Sequence, residues 1–142
     1  MTKRSGELVF VDTNVLIYAV SPGERLHQRA FEVVDDLIAK STLRISTQVL
    51  QEFFVVSTRR IRVPLTPEQA LGYMDLWAVS PVVSIDYPAI RDAVSLSESN
   101  RLSFWDSLIV IAAKRCGAKT LYTQDLNRGQ RIDGVEIVNP FD

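Results

Sequence analysis

The stretch LVFVDTN, residues 8–14, decides the fold class of this chain. It begins with an unbroken apolar run and ends in Asp12, Thr13 and Asn14, polar residues of the kind that close a strand and begin a helix. A strand made only of apolar residues has no solvent-facing side, and such strands belong to parallel sheets that are covered on both faces. The sequence therefore predicts a buried parallel strand that leads directly into a helix.

The rest of the chain alternates between these two kinds of element. Helical spacing of apolar residues and capping signals predict helices at about 24–39, 47–62, 66–79, 86–98 and 103–117. Short apolar runs between them predict further strands at 43–46, 82–85, 120–123 and 135–138. This alternation predicts an α/β fold of three layers, with a short, mostly parallel central sheet flanked by helices. We expect one domain, residues 1–142, with a flexible N-terminal tail at residues 1–6.

Composition excludes several classes of protein. No apolar run approaches the roughly 20 residues that a membrane-spanning helix needs, and the short run near the start is not a signal-peptide core. Cys116 is the only cysteine and His27 the only histidine, which excludes intrachain disulfides and zinc sites built from several cysteines or histidines. We therefore expect a soluble cytoplasmic protein, without a membrane partner, whose available metal ligands are oxygen atoms.

The charge balance does not by itself indicate nucleic-acid binding. The chain has 16 basic and 17 acidic residues and a net charge of −1, whereas simple nucleic-acid binders are strongly basic. If four of the acids hold a metal ion, the remaining surface has 16 basic and 13 acidic residues and is mildly basic. RNA binding is therefore compatible with the composition, but function has to be inferred from particular residues.

Two aspartates stand at the ends of predicted strands, where the functional groups of open parallel sheets gather. Asp12 closes the first strand, and Asp125 follows the strand at 120–123. Aspartate is also a favoured helix cap and turn residue. Taken alone, each position is therefore better explained by local structure than by function.

Two further acids interrupt apolar helix faces. Glu52 falls between Val55 and Val56 in helical projection, and Asp106 lies on a helix that is apolar nearly all round. An ion pair with an arginine, or simple placement at the rim of the packed surface, would also explain Glu52. Asp106 occupies the N3 position of a capping box whose N-cap is Ser103, and its role would be structural if its carboxylate bonded the Ser103 backbone.

Taken together, the four acids indicate a shared cation. None of them has a lysine or arginine immediately beside it in the sequence. Two unit charges about 4 Å apart repel by about 4 kcal/mol at an effective dielectric of 20, so clustered carboxylates need protons or a metal ion. Mg²⁺ or Mn²⁺ suits all-oxygen ligation. Such an ion could activate water for attack on a phosphodiester and stabilise the leaving oxygen, so no side-chain nucleophile is required.

At these positions the chain resembles PIN-domain nucleases, and in particular the VapC-type toxins of prokaryotic toxin–antitoxin systems. The resemblance rests on VDTNVLIY at 11–18, QEF at 51–53, FWDSLI at 104–109 and LYTQDL at 121–126. It implies a PIN-like fold and endoribonuclease activity with Mg²⁺ or Mn²⁺. It also implies a structured RNA substrate such as transfer RNA, a VapB-like antitoxin as partner, and a homodimer.

The resemblance implies roles for individual residues as well. Asp12 and Asp106 are the expected direct metal ligands. Glu52 and Asp125 are expected to bind the ion directly or through water. The polar side chains of Asn14 and Thr123 are expected to support this acidic site.

Other residues are weaker candidates for RNA contacts. Arg128 and Gln130, just beyond the last acid, are candidate RNA-binding residues, although a solvated loop also explains them. The arginines at 59, 60 and 62 could contact phosphate, or they could complement the dipole at a helix C-terminus. Trp77 and Trp105 are expected to be core or dimer contacts instead of base-stacking platforms.

Three other functions are alternatives. The first is a PIN-domain nuclease of RNA maturation or decay, and the second is a PIN-like adaptor that binds protein or RNA without cutting it. The third is a phosphatase of the haloacid-dehalogenase kind, which requires a second aspartate where this chain has Asn14. No GxxxxGK phosphate-binding loop is present in the sequence either.

Overall fold

The structure is a computed structural model that describes residues 6–126 and 129–142. The strands in this part of the chain are β1 (Val9–Val11), β2 (Leu43–Ser46), β3 (Val82–Val83), β4 (Thr120–Tyr122), β5 (Arg131–Ile132) and β6 (Val135–Val138). The helices are α1 (Thr13–Ala19), α2 (His27–Ala39), α3 (Thr47–Arg59), α4 (Pro67–Trp77), α5 (Tyr87–Asn100) and α6 (Phe104–Arg115). None of the described helices has the length and apolar character of a membrane span. The tail expected at residues 1–6 lies outside the described residues, except for Gly6.

The strands form one sheet in the order β3-β2-β1-β4-β6-β5. Every neighbouring pair is parallel except β5 and β6 at one edge, which confirms the predicted mostly parallel sheet. β1 lies between β2 and β4, and each of its residues is at most 1% exposed. The strand is apolar throughout because both of its faces are covered, as the sequence predicts.

The connections place helices on both faces of the sheet. The chain steps from β1 to β2 to β3 in one direction and then returns to β4 on the other side of β1. Parallel crossovers are right-handed, so the forward and return connections cover opposite faces. Helix contacts agree with this division, because α1 packs on α2 and α3, and α3 packs on α4, whereas α5 packs on α6. The predicted three-layer architecture is confirmed.

The observed boundaries differ from the predicted ones at several elements. The helix that follows β1 is a separate short element, and α2 begins at His27 instead of near Glu24. The edge strand β5 is not predicted from the sequence, because two residues carry no periodic signal. Its turn to β6 does have a signal. Asp133 and Gly134 have φ angles of 51° and 85°, the backbone that an Asp-Gly hairpin turn requires.

Local hydrogen bonds begin two helices where the sequence predicts them. Thr66 Oγ1 accepts from the Gln69 N–H at 3.1 Å, and Gln69 Oε1 accepts from the Thr66 N–H at 2.9 Å, so this capping box is complete. Asp86 caps α5 by accepting from the Ala89 N–H at 2.9 Å. These caps satisfy backbone donors that a helix cannot pair internally.

Candidate active site

The predicted site residues gather where the strand order reverses. β1 has β2 on one side and β4 on the other, so the chain leaves the carboxyl ends of β1 and β4 in different directions. Open parallel sheets place their ligand crevice at such a point. Asp12 follows β1, and Asp125 lies in the loop after β4, which pairs with β1 through Val11 and Tyr122. The two strand-end aspartates therefore lie at the same edge of the sheet.

The hydroxyl of Thr123 connects three polar groups at this edge. The buried hydroxyl donates to Asp12 Oδ2 at 2.9 Å. It accepts from Asn14 Nδ2 at 3.3 Å and from the Asp125 N–H at 3.2 Å. Asp12 also accepts from the Thr13 N–H at 2.7 Å and so caps α1. Asp12 is therefore the N-cap of α1 as well as one of the four acids of the candidate site.

Glu52 reaches the same region from α3. Its side chain is half-buried, and its Oε1 accepts a hydrogen bond from Thr13 Oγ1 at 3.0 Å. Among the described residues it forms no ion pair, so no arginine partner explains it there. Thr13 therefore ties a carboxylate of α3 to the residue that follows Asp12.

Asp106 comes from the first turn of α6. Its backbone N–H donates to Ser103 Oγ at 3.0 Å, which caps the helix. In the part of the chain that the structure describes, the half-buried Asp106 carboxylate has no hydrogen-bond or ion-pair partner, and it does not bond the Ser103 N–H. This differs from the reciprocal box of Thr66 and Gln69. The cap uses the backbone of Asp106, and its carboxylate needs another explanation.

One cleft brings the four predicted carboxylates together. It has a volume of about 490 Å³ and lies between α1, α3, α6 and the loop after β4. Its lining includes Asp12, Asn14, Glu52, Asp106 and Asp125, together with Glu24, Gln48, Arg60, Arg62 and Trp105. Among the described residues, no three acidic, histidine or cysteine side chains are gathered closely enough to make a complete ion site. The carboxylates surround a common space without forming a tight cluster, an arrangement that repulsion between like charges favours.

The surroundings of Asp12 disfavour the ionised form of its carboxyl. Burial is the largest cause that raises the pKa of its carboxyl from 3.8 to about 6, and the side chain is only 6% exposed. Hydrogen bonds from Thr13 and Thr123 lower this pKa, while the charges of Asp125 and Glu52 raise it. The ionised form of Asp12 is therefore costly in the protein alone, and a cation bound in the cleft would offset that cost.

The donors of the cleft fit a hard divalent cation. They are carboxylate and amide oxygens, and no cysteine or histidine belongs to the described lining. In addition, Gln48 Oε1 is buried and has no hydrogen-bond partner within the described residues. A buried acceptor without a partner costs free energy, so this oxygen suits an ion or a water molecule of its hydration shell. The chemistry of the residues present therefore fits Mg²⁺ or Mn²⁺.

The weaker candidates for RNA contacts differ in whether they line the cleft. Arg128 lies outside the described residues, and Gln130 is exposed and does not line the cleft. Arg60 and Arg62 do line it. Both residues lie at or just beyond the C-terminal end of α3, where interaction with the helix dipole is enough to explain an arginine from the sequence. Only the structure shows that they line the same cleft as the acids.

Two residues in the cleft wall were not expected there. Gln48 precedes Glu52 by one helical turn, and this spacing is the signal that could have identified it. Trp105 is 62% exposed, so it is not a core residue, whereas Trp77 is 2% exposed and does belong to the core. Of the predicted core or dimer contacts, Trp77 is therefore confirmed as a core residue, whereas Trp105 lies outside the core and a dimer contact there stays a prediction.

Comparisons with known proteins agree with the α/β architecture. A family model described as PIN domain matches residues 9–134. No curated protein matches the chain in sequence.

Several solved structures share the fold. A toxin–antitoxin complex from Klebsiella pneumoniae is 19% identical with a TM-score of 0.70, over 94% of this chain and 98% of that chain. FitAcB from Neisseria gonorrhoeae is 19% identical with a TM-score of 0.64, over 94% of this chain and 98% of that chain. VapC20 from Mycobacterium tuberculosis, described as a sarcin–ricin loop cleaving toxin, is 20% identical with a TM-score of 0.60, over 82% of this chain and 89% of that chain. At these identities the likeness concerns the fold alone.

Proposed function

The chain belongs to the PIN-domain family, and on that premise we propose that it is a metal-dependent endoribonuclease, the toxin of a VapBC-type toxin–antitoxin pair. The observation that carries the proposal is the cleft, in which carboxylates from the N-cap of α1, from α3, from α6 and from the loop after β4 surround one space. Such a donor set suits Mg²⁺ or Mn²⁺. Hydrolysis of a phosphodiester is a reaction that carboxylate-held divalent ions catalyse.

Each side chain has its own part in this proposal. Asp12 and Asp106 would hold the ion, and Glu52 and Asp125 would contact it directly or through water. When bound, the ion supplies Lewis-acid polarisation at the phosphate and offsets charge that develops in the transition state. The Thr123 hydroxyl orients the carboxylate at the end of β1 and the backbone of the loop after β4 through single hydrogen bonds. It thereby fixes the Asp12 carboxylate relative to the backbone of Asp125, which reduces the reorganisation needed for catalysis.

The cleft also has groups that suit RNA. Arg60 and Arg62 lie in its wall, and neither forms an ion pair with another described residue. Arginines at the edge of an anionic site can bind the phosphates that flank the reacting one. This arrangement supports a polyanionic substrate such as RNA, and a structured RNA such as transfer RNA is inferred by analogy with the family.

The toxin role is inferred by analogy with proteins of the same fold. The Klebsiella structure is described as a toxin–antitoxin complex, and VapC20 is described as a toxin. We infer for this chain a VapB-like antitoxin that blocks the cleft, a homodimer, and action in the cytoplasm. RNA maturation or decay is the alternative function within the same family.

Purified protein, freed of any antitoxin, is expected to cut RNA in Mg²⁺ or Mn²⁺ and to stop in excess EDTA. The physical reason is that the cleft carboxylates need a cation to act on an anionic substrate. Product length and end chemistry on transfer RNA and on an unstructured oligoribonucleotide are the measurements. Equal cleavage in excess EDTA would exclude the proposed chemistry. Intact RNA under every metal condition would favour the non-catalytic adaptor.

Expression of the chain alone is expected to arrest growth of a bacterial host, because the proposed toxicity is RNA cleavage. Asp12→Ala is expected to relieve the arrest, whereas Asp35→Ala, at an exposed position of α2 outside the cleft, is expected to leave it in place. Colony counts at matched protein levels measure both. Harmless expression of protein that cuts RNA in vitro would make RNA maturation or decay the better function.

A further inference from the structure

Trp105 is the most exposed large apolar side chain in the lining of the cleft. Its exposed fraction is 62%, while the other tryptophan, Trp77, is 2% exposed and packs edge-on against Phe53 at a centroid distance of 4.7 Å. Single apolar residues are common on protein surfaces. An indole in the wall of a cleft is different, because ligand sites combine aromatic walls with a few convergent polar groups.

Contacts on two sides hold the backbone and ring of Trp105 in place. The Phe104 ring lies 5.3 Å from the indole at an interplanar angle of 73°. Gln48 Nε2 donates to the Trp105 carbonyl at 3.3 Å, and this partner fixes the amide orientation because a carbonyl can only accept. Trp105 also directly precedes Asp106 in the first turn of α6. A ligand that covered this indole would therefore bind a largely preorganised surface.

The groups around Trp105 match the chemistry of a nucleotide chain. The cleft combines carboxylates that suit a cation, two arginines without described ion-pair partners, and an exposed indole side chain. Phosphates bind cations and arginine, and every base has a π face that stacks on aromatic side chains. A protein segment could also cover the indole, but the pairing of arginines with a cation site favours a polyanion.

We propose that Trp105 is a nucleobase-stacking residue, whose indole stacks on a base of the RNA strand next to the phosphodiester at the carboxylates. The proposal rests on the proposed function, because it places RNA in the same cleft. Stacking adds affinity with little sequence preference. Because Trp105 adjoins Asp106 in the chain, a stacked base would also set the register of the strand relative to the acids.

Binding of a fluorescein-labelled single-stranded oligoribonucleotide, followed by anisotropy in EDTA at low ionic strength, tests this role. Trp105→Ala is expected to weaken binding about tenfold, the loss typical of removing one base–aromatic stack, while Trp105→Phe retains most of the affinity. Tyr87→Ala is the matched control, since Tyr87 is 66% exposed and lies outside the cleft. With an abasic strand of the same length, Trp105→Ala is expected to bind as tightly as wild type.

Intrinsic fluorescence gives a readout that a purely structural role would not change. Stacking on a base is expected to quench the emission of Trp105, with the same midpoint as the anisotropy. In Trp105→Phe the remaining emitter is Trp77, which is 2% exposed. This variant is therefore expected to bind RNA without quenching.

Equal RNA affinity of wild type and Trp105→Ala would overturn the stacking role, and so would an equal loss on the abasic strand. If the emission of Trp105 then responds to antitoxin or to self-association, the indole belongs to a protein interface.

Titrations repeated in Mg²⁺ separate this proposal from the proposed function. If RNA is cut and Trp105→Ala keeps the wild-type kcat/KM, stacking fails and the nuclease stands. If RNA is bound with Trp105-dependent quenching but is not cut, the nuclease fails and stacking stands.

Discussion

Asp12→Asn is expected to reduce RNA cleavage by at least about a hundredfold and, in EDTA at pH 7, to make the protein more stable than wild type. The loss follows if Asp12 is a direct ligand of the catalytic ion, because electrostatic stabilisation of the transition state then depends on it. The gain follows from burial, which raises the pKa of the Asp12 carboxyl from 3.8 to about 6. At about 1.36 kcal/mol per pH unit, the ionised carboxylate costs about 3 kcal/mol.

Asparagine removes this cost but does not reproduce every hydrogen bond. It remains a good helix cap and can still accept from the Thr13 N–H. Its amide then faces Thr123 Oγ1, which already accepts from Asn14 and from the Asp125 N–H. One poorly matched bond costs about 1 kcal/mol, so the net gain in the free energy of unfolding is about 2 kcal/mol.

The gain has a pH dependence of known sign. The folded pKa of Asp12 lies above the unfolded value, so wild-type stability falls as pH rises from about 4 to about 6 and is constant above that. Asparagine does not ionise, so its advantage is present at pH 7 and disappears toward pH 4. Urea denaturation in EDTA from pH 4 to pH 8 measures the difference, with Asp35→Asn as an exposed control outside the cleft. A stability difference that does not change with pH would contradict the burial of an ionised Asp12.

Asp106→Asn is expected to leave stability in EDTA nearly unchanged and to lose most of the stability that Mg²⁺ adds to wild type. The helix cap uses the Asp106 N–H, so asparagine keeps that hydrogen bond. The lost attraction between a carboxylate and the helix dipole is offset by relief of repulsion from the other acids. An ion that binds only the folded protein stabilises it by RT ln(1 + [L]/Kd), about 2.7 kcal/mol at a hundredfold excess over Kd.

Thermal melts of both proteins in EDTA and across a series of Mg²⁺ concentrations measure this contrast. Asp35→Asn is again the control, and it is expected to gain as much from Mg²⁺ as wild type does. If Asp106→Asn is about 1 kcal/mol less stable in EDTA and still gains as much from Mg²⁺, Asp106 is a capping residue and does not hold the ion.

Local sequence determined most of the secondary structure of this protein. The strands predicted at 43–46 and 135–138 are found at those residues, and the capping box at Thr66 begins α4 as predicted. These features depend on contacts within a few residues or on simple periodicity, so the order of the residues is sufficient. The strand-end positions of Asp12 and Asp125 follow in the same way, because alternating strands and helices imply a parallel sheet with its crevice at the carboxyl ends.

Tertiary structure alone decided which polar groups meet and which surfaces remain open. Thr123 and Asp12 are 111 positions apart, and Thr13 and Glu52 are 39 apart, so no periodic pattern connects them. The exposure of Trp105 also depends on tertiary structure. Its helix is apolar nearly all round, so helical projection cannot identify the side that faces the cleft. Burial depends on the elements that pack against a residue, and in this protein those elements come from distant parts of the chain.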